Sequence, residues 1–90
     1  SIKEENPLIN LLVVSLLRQI GVSGLPILIE VTKNENILLA KAAITAIGEI
    51  DAPAALKCLK ELAVDSSVDG LIQESVSYSL ETFNYRSRNN

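Results

Sequence analysis

Apolar residues recur at three- and four-residue spacing along most of the chain, and breaks in that recurrence predict five helices and no strand. The first predicted helix covers about 5–20. Asn6-Pro7 offers a side-chain cap followed by proline at the first helical position, Ile9, Val13, Leu16, Leu17 and Ile20 form its stripe, and Gly21 ends it. The second covers about 24–33, with Ser23 as cap, Pro26 in the first turn, and Leu25, Leu28, Val31 and Thr32 on the apolar face. The third covers about 35–49 and is rich in alanine, with Leu39, Ala43, Ala46, Ile47 and Ile50 aligned. The fourth covers about 53–64, opens at Asp51-Ala52-Pro53 and aligns Leu56, Leu59 and Leu62. The fifth covers about 67–83, capped by Ser67, with Val68, Ile72, Val76, Leu80 and Phe83 aligned. Residues 84–90 read as a polar tail.

The pattern repeats. Shifting the first helix by about 30 positions lays Ile9, Val13, Leu16, Leu17 and Ile20 on Leu39, Ala43, Ala46, Ile47 and Ile50. A further shift of about 33 lays these on Ile72, Val76, Ser79, Leu80 and Phe83. The second and fourth helices match at a shift of about 31. Paired helices recurring at this period predict an all-α fold, an α-solenoid of about two and a half antiparallel helix-pair repeats. Repeat one is 5–33, repeat two is 35–64, and 67–83 is a half-repeat that caps the end.

The segment from Leu39 through Ala43, Ala46-Ile47-Gly48 and Asp51-Ala52-Pro53 to Leu56 resembles the HEAT repeat, most closely the short form of phycobilisome-lyase-like proteins. Weaker copies at 8–32 and 71–83 extend the resemblance over about four-fifths of the chain. One departure stands out: the family often places arginine just after the first aliphatic, and Asn10, Ala40 and Gln73 stand there instead. The resemblance implies a scaffold that binds another protein along its inner face. A few short-form members handle bilin chromophores as lyases, which is the alternative the resemblance carries. A third reading is a purely structural segment of a larger solenoid.

Composition narrows the chemistry. The chain has 90 residues, 48% of them apolar and only 3% aromatic, so aliphatic residues and alanine build the core. No histidine and a single cysteine exclude Ser-His-Asp and Cys-His catalysis, internal disulfides and multi-cysteine zinc sites. The formal charge of −3 opposes a phosphate-binding face, so no nucleic-acid partner is expected. The longest apolar run, Leu11 to Leu17, is too short to cross a bilayer, and no polybasic patch marks a membrane surface. Lys3-Glu4-Glu5 is a poor start for a secretory leader, and we expect a cytoplasmic protein. With no methionine, the chain is either processed at its start or a segment of a longer one.

Candidate chemical sites are few, and no catalytic residue, cofactor or metal is expected. Asp65-Ser66-Ser67-Val68-Asp69-Gly70 matches the first half of a calcium loop, but the twelfth position, which needs a bidentate glutamate, is Val76. Cys58 sits with Ala55, Leu59 and Leu62 and reads as a buried small hydrophobe. Glu49 and Asp51 fall at a helix turn with nothing to separate their pKa values. The four glycines lie near helix ends and form no phosphate loop.

Two surfaces remain. In a solenoid the second helix of each pair lines the concave face, which assigns partner binding to Pro26, Ile29, Lys33, Lys57, Lys60 and Glu61, beside Glu30 and Val64. The first helix is apolar nearly all round: Leu8, Leu11, Leu12 and Val14 add to its core stripe. Such a helix is expected to be covered on both sides, by an upstream repeat or by a second copy in a homodimer.

Overall fold

A computed structural model describes residues 6–89, and every described secondary-structure element is helical. Helix α1 spans Pro7–Ile20, a 3-10 turn spans Gly21–Gly24, and α2 spans Leu25–Val31. Helix α3 spans Ile37–Glu49, α4 spans Pro53–Ala63 and α5 spans Gly70–Arg88. The first two expected helices follow one another through the 3-10 turn with no irregular residue between them. The described chain therefore has four uninterrupted helical runs rather than five separate helices.

Local chemistry sets most boundaries. The Asn6 side chain accepts from the amides of Leu8 and Ile9, and proline follows at the start of α1. Gly21 terminates α1 at φ 84°, ψ −137°, a conformation open to glycine and closed to residues with a Cβ. Ser23 lies inside the 3-10 turn and does not cap α2; Gly24 holds that position. A Cβ on Gly24 would come against the Leu17 carbonyl oxygen, so the absent side chain is what lets the turn fold back onto α1. Asn36 caps α3 by accepting from Leu39. Helix α4 begins at Ala52-Pro53 with no side-chain cap, so Asp51 does not serve there.

At the start of α5 the cap is Asp69, which accepts from Leu71, and not Ser67. Val68 consequently lies in the loop. The expected polar tail is largely helix: α5 continues to Arg88, held where the Arg86 guanidinium donates to the Gly48 carbonyl at 3.0 Å and stacks over the Phe83 ring at 4.9 Å.

Helix α3 is central. It packs against α1, α2, α4 and α5, and α4 also packs on α5. Leu39, Ala40, Ala43, Ile44, Ala46, Ile47 and Gly48 are all buried, so α3 is apolar nearly all round, as an enclosed helix should be. Its small residues let neighbours approach closely, while fully buried Leu28, Ile44, Ile47 and Leu59 each contribute about 1.5–3 kcal/mol by leaving water. The shortest dimension, 17 Å, matches two helix layers at the usual 8–10 Å axial separation.

Burial of α1 differs from expectation. Its buried residues are Asn10, Val14 and Leu17, while Ile9, Leu16 and Ile20, expected in the core, are exposed. Val14, assigned to an outer interface, is in the core instead. The covered side of α1 is the one that meets α3, and three large aliphatics of the expected stripe fall on the other. Along α4 only Leu59 of the expected leucines is fully enclosed; Leu56 and Leu62 are half-buried.

Candidate functional site

Helices α2 and α4 both lean on α3 but barely touch each other. The seven-residue α2 is too short to close over α4, and a groove is left between them. One section, of about 160 Å³, is lined by Ile29, Lys33, Cys58, Glu61, Leu62 and Asp65. A second section, of about 510 Å³, shares Lys33, Leu62 and Asp65 and opens toward the α2–α3 and α4–α5 loops. Ile37, Leu62, Val68 and Ile72 give this section an apolar lining, and Glu35, Asp65 and Asp69 bring carboxylates to it.

Of the residues assigned to partner binding from the sequence, the groove gathers Ile29, Lys33 and Glu61. Pro26, Lys57 and Lys60 are exposed on α2 and α4 but do not line it. Sequence reading missed Cys58, Leu62 and Asp65. The first two were placed in the core because they share a stripe with Leu59, and only the gap between α2 and α4 leaves them half open. The remaining outward positions, Glu30 and Val64, are exposed outside the groove.

The electrostatics of the groove are acidic. Glu35, Glu61, Asp65 and Asp69 face a single cation, Lys33. The hydroxyl and backbone amide of Ser67 both donate to Asp65, and these bonds, helped by the Lys33 charge, hold its carboxyl below the usual carboxylate range. Gln73 closes the end of α4: its side-chain amide donates to the carbonyls of Leu62 at 2.8 Å and Asp65 at 3.2 Å, adding to the backbone bonds those carbonyls accept from Asp65 and Val68. Desolvation pushes the Cys58 thiol upward, and the Glu61 carboxylate adds to that shift. Cys58 is thus a groove wall with no thiolate character at neutral pH.

The half calcium loop is used otherwise. Asp65 and Asp69 spend their carboxylates on Ser67 and Leu71, and Val76 is fully buried in the core. Among the described residues, no group of three or more Cys, Asp or Glu is placed to hold a metal ion. Glu49 pairs with Arg18 at 3.4 Å, an exposed bridge that contributes little.

The outer face of α1 is the other unusual surface. Leu8, Ile9, Leu12, Leu16 and Ile20 are each more than half exposed, and Leu11 joins Leu38 of α3 beside a small apolar cleft. The run Leu8–Val31 is long and apolar enough to cross a membrane by length and composition, which reading Leu11 to Leu17 alone had missed. As folded it does not form one rod, because Gly21 turns it back and α1 alone is about 21 Å long against a hydrocarbon core of about 30 Å.

Residues 1–81 match a family model described as HEAT repeats. No curated protein and no solved structure matches the chain.

Proposed function

Because the chain belongs to the HEAT-repeat family, whose repeats generally mediate protein–protein interaction, we propose that it is a non-enzymatic binding module that receives a partner segment in the α2–α4 groove. The helices then read as two and a half repeats of a solenoid: α1 with α2, α3 with α4, and α5 as the closing half. In that arrangement α2 and α4 line the inner face. One observation carries the reading: the groove joins an apolar lining to four carboxylates opposed by one lysine. Such a surface favours a partner segment with an aliphatic side chain flanked by lysine or arginine, since the apolar part supplies affinity and the charges supply register and steering.

Titration of the methyl-labelled protein with two sets of short peptides tests this. One set carries Lys or Arg beside Leu or Ile; the other carries Glu or Asp in the same places. The basic set should shift the methyl signals of Ile29, Leu62, Val68 and Ile72, and Glu35→Lys with Asp65→Lys should abolish the shifts while leaving the fold intact. Equal shifts from both sets, or none from either, would remove the groove as the binding site.

A further inference from the structure

The two sections of the α2–α4 groove meet at Lys33, Leu62 and Asp65, the residues that line both. Asp65 is set there as an acceptor. The backbone amide and the hydroxyl of Ser67 both donate to its Oδ1, at 2.9 and 2.7 Å, which fixes the carboxylate and occupies both lone pairs of that oxygen. Its Oδ2 accepts from none of the described residues and is left for another donor.

Lys33 is the one cation of the lining, and it is held near Asp65 without meeting it. Its backbone is fixed just past the end of α2, the amide donating to the Glu30 carbonyl at 3.1 Å. The residue is exposed, and among the described residues its ammonium is within ion-pair distance of no carboxylate. Its charge nevertheless reaches Asp65 and helps to hold that carboxyl ionised. A flexible four-carbon stem lets the ammonium move toward Oδ2 or out to solvent. Glu35, Glu61 and Asp69, the other charged groups of the lining, are all anionic.

We propose that Lys33 is a built-in competitor for the groove: it stands in for the basic side chain of the partner segment, which must displace it from the neighbourhood of Asp65 in order to seat. The proposal rests on the groove being the binding site. Two cations beside one carboxylate oxygen repel each other, so a partner lysine gains Asp65 only as Lys33 swings outward. A basic residue arriving there trades one cation for another. Basic residues elsewhere in the segment reach Glu35, Glu61 or Asp69 without such an exchange.

Short peptides with Lys beside Leu, titrated at about 50 mM salt where screening is weak, test the exchange. Lys33→Gln should tighten binding about three- to tenfold, the effect of one charge at close range. Lys33→Arg should bind as the wild type does. Arg88→Gln makes the same change in net charge at the far end of α5, a 19-residue helix whose start borders the groove. That site is about 27 Å away along the helix, and its loss should alter affinity less than about twofold. In an Asp65→Asn background Lys33→Gln should bring no gain. If the wild type binds these peptides and Lys33→Gln tightens them no more than Arg88→Gln does, the competition is overturned and the groove stands as the binding site. A gain that persists without Asp65 is general repulsion and overturns it as well. If neither the wild type nor Lys33→Gln binds, the competition and the groove reading fall together.

Discussion

Gly48 on α3 lies so close to Ser79 on α5 that a Cβ added to the glycine would stand 2.9 Å from the serine Cβ. Neither atom sits at the end of a flexible side chain, so relief requires one helix to move. Gly48→Val should cost about 1–3 kcal/mol through this overpacking. Gly70, which has open space around the missing Cβ, serves as the control. Gly70→Ala should change stability by less than about 0.5 kcal/mol. Paired urea melts of the two variants check both numbers.

Arg86 ties the last turns of α5 to α3 through the Gly48 carbonyl and the Phe83 ring. Arg86→Ala removes a charged donor and should cost about 1–3 kcal/mol. Arg86→Lys keeps the charge without the planar fork and should fall between wild type and alanine. Amide exchange should report the loss first in residues 84–88, the turns that lie nearest this anchor.

Ala43 is fully buried in α3, among neighbours that already fill the space around it. Ala43→Leu should destabilise by about 1–3 kcal/mol. For a domain of this size each kcal/mol lowers Tm by about 4–8 °C. An unchanged thermal melt would show that the small-residue face is not where α3 meets its neighbours.

Cys58 titrates above the ordinary thiol range because burial and Glu61 disfavour the thiolate. The folded state thus holds this proton to higher pH than the unfolded chain. The stability contributed by the neutral thiol is complete below the unfolded value and declines as pH rises past about 8.5. Alkylation by iodoacetamide at pH 7.5 should be slower for the folded protein than for the chain in urea. Glu61→Gln should speed it.

Calcium at millimolar concentration should leave Tm unchanged. Asp65 and Asp69 are engaged within their loop, and the position that would complete the coordination is Val76 in the core. A rise of several degrees would show that the loop rearranges to bind the ion.

The helical periodicity and the caps at Asn6 and Gly21 could be read from residue order alone. They rest on local spacing and on backbone chemistry that neighbours do not change. The inward side of α1 could not be read. With leucine, isoleucine or valine at positions 8, 9, 11, 12, 13, 14, 16, 17 and 20, no single stripe stands out, and the buried side includes the polar Asn10. Leu62 and Cys58 were misplaced for a different reason. Their stripe does face the protein, but whether it is closed over depends on the length of α2, which the Gly21–Gly24 turn shortens at its start. The reach of α5 past Phe83 likewise depended on one long-range bond from Arg86, invisible to any local pattern.

The central position of α3 has a consequence for how the molecule is made. Every other described helix packs on it, yet it follows α1 and α2 in the chain, so a growing polypeptide presents those two helices before the one they pack on exists. From the end of α2 to the end of α3 is 18 residues, about 1–4 s of translation at ordinary rates. During that interval the faces of α1 and α2 that α3 will cover stay open, and they invite capture by holding chaperones or by the machinery that inspects nascent chains. The order of helices along the gene thus sets a hazard in synthesis that the finished fold no longer displays.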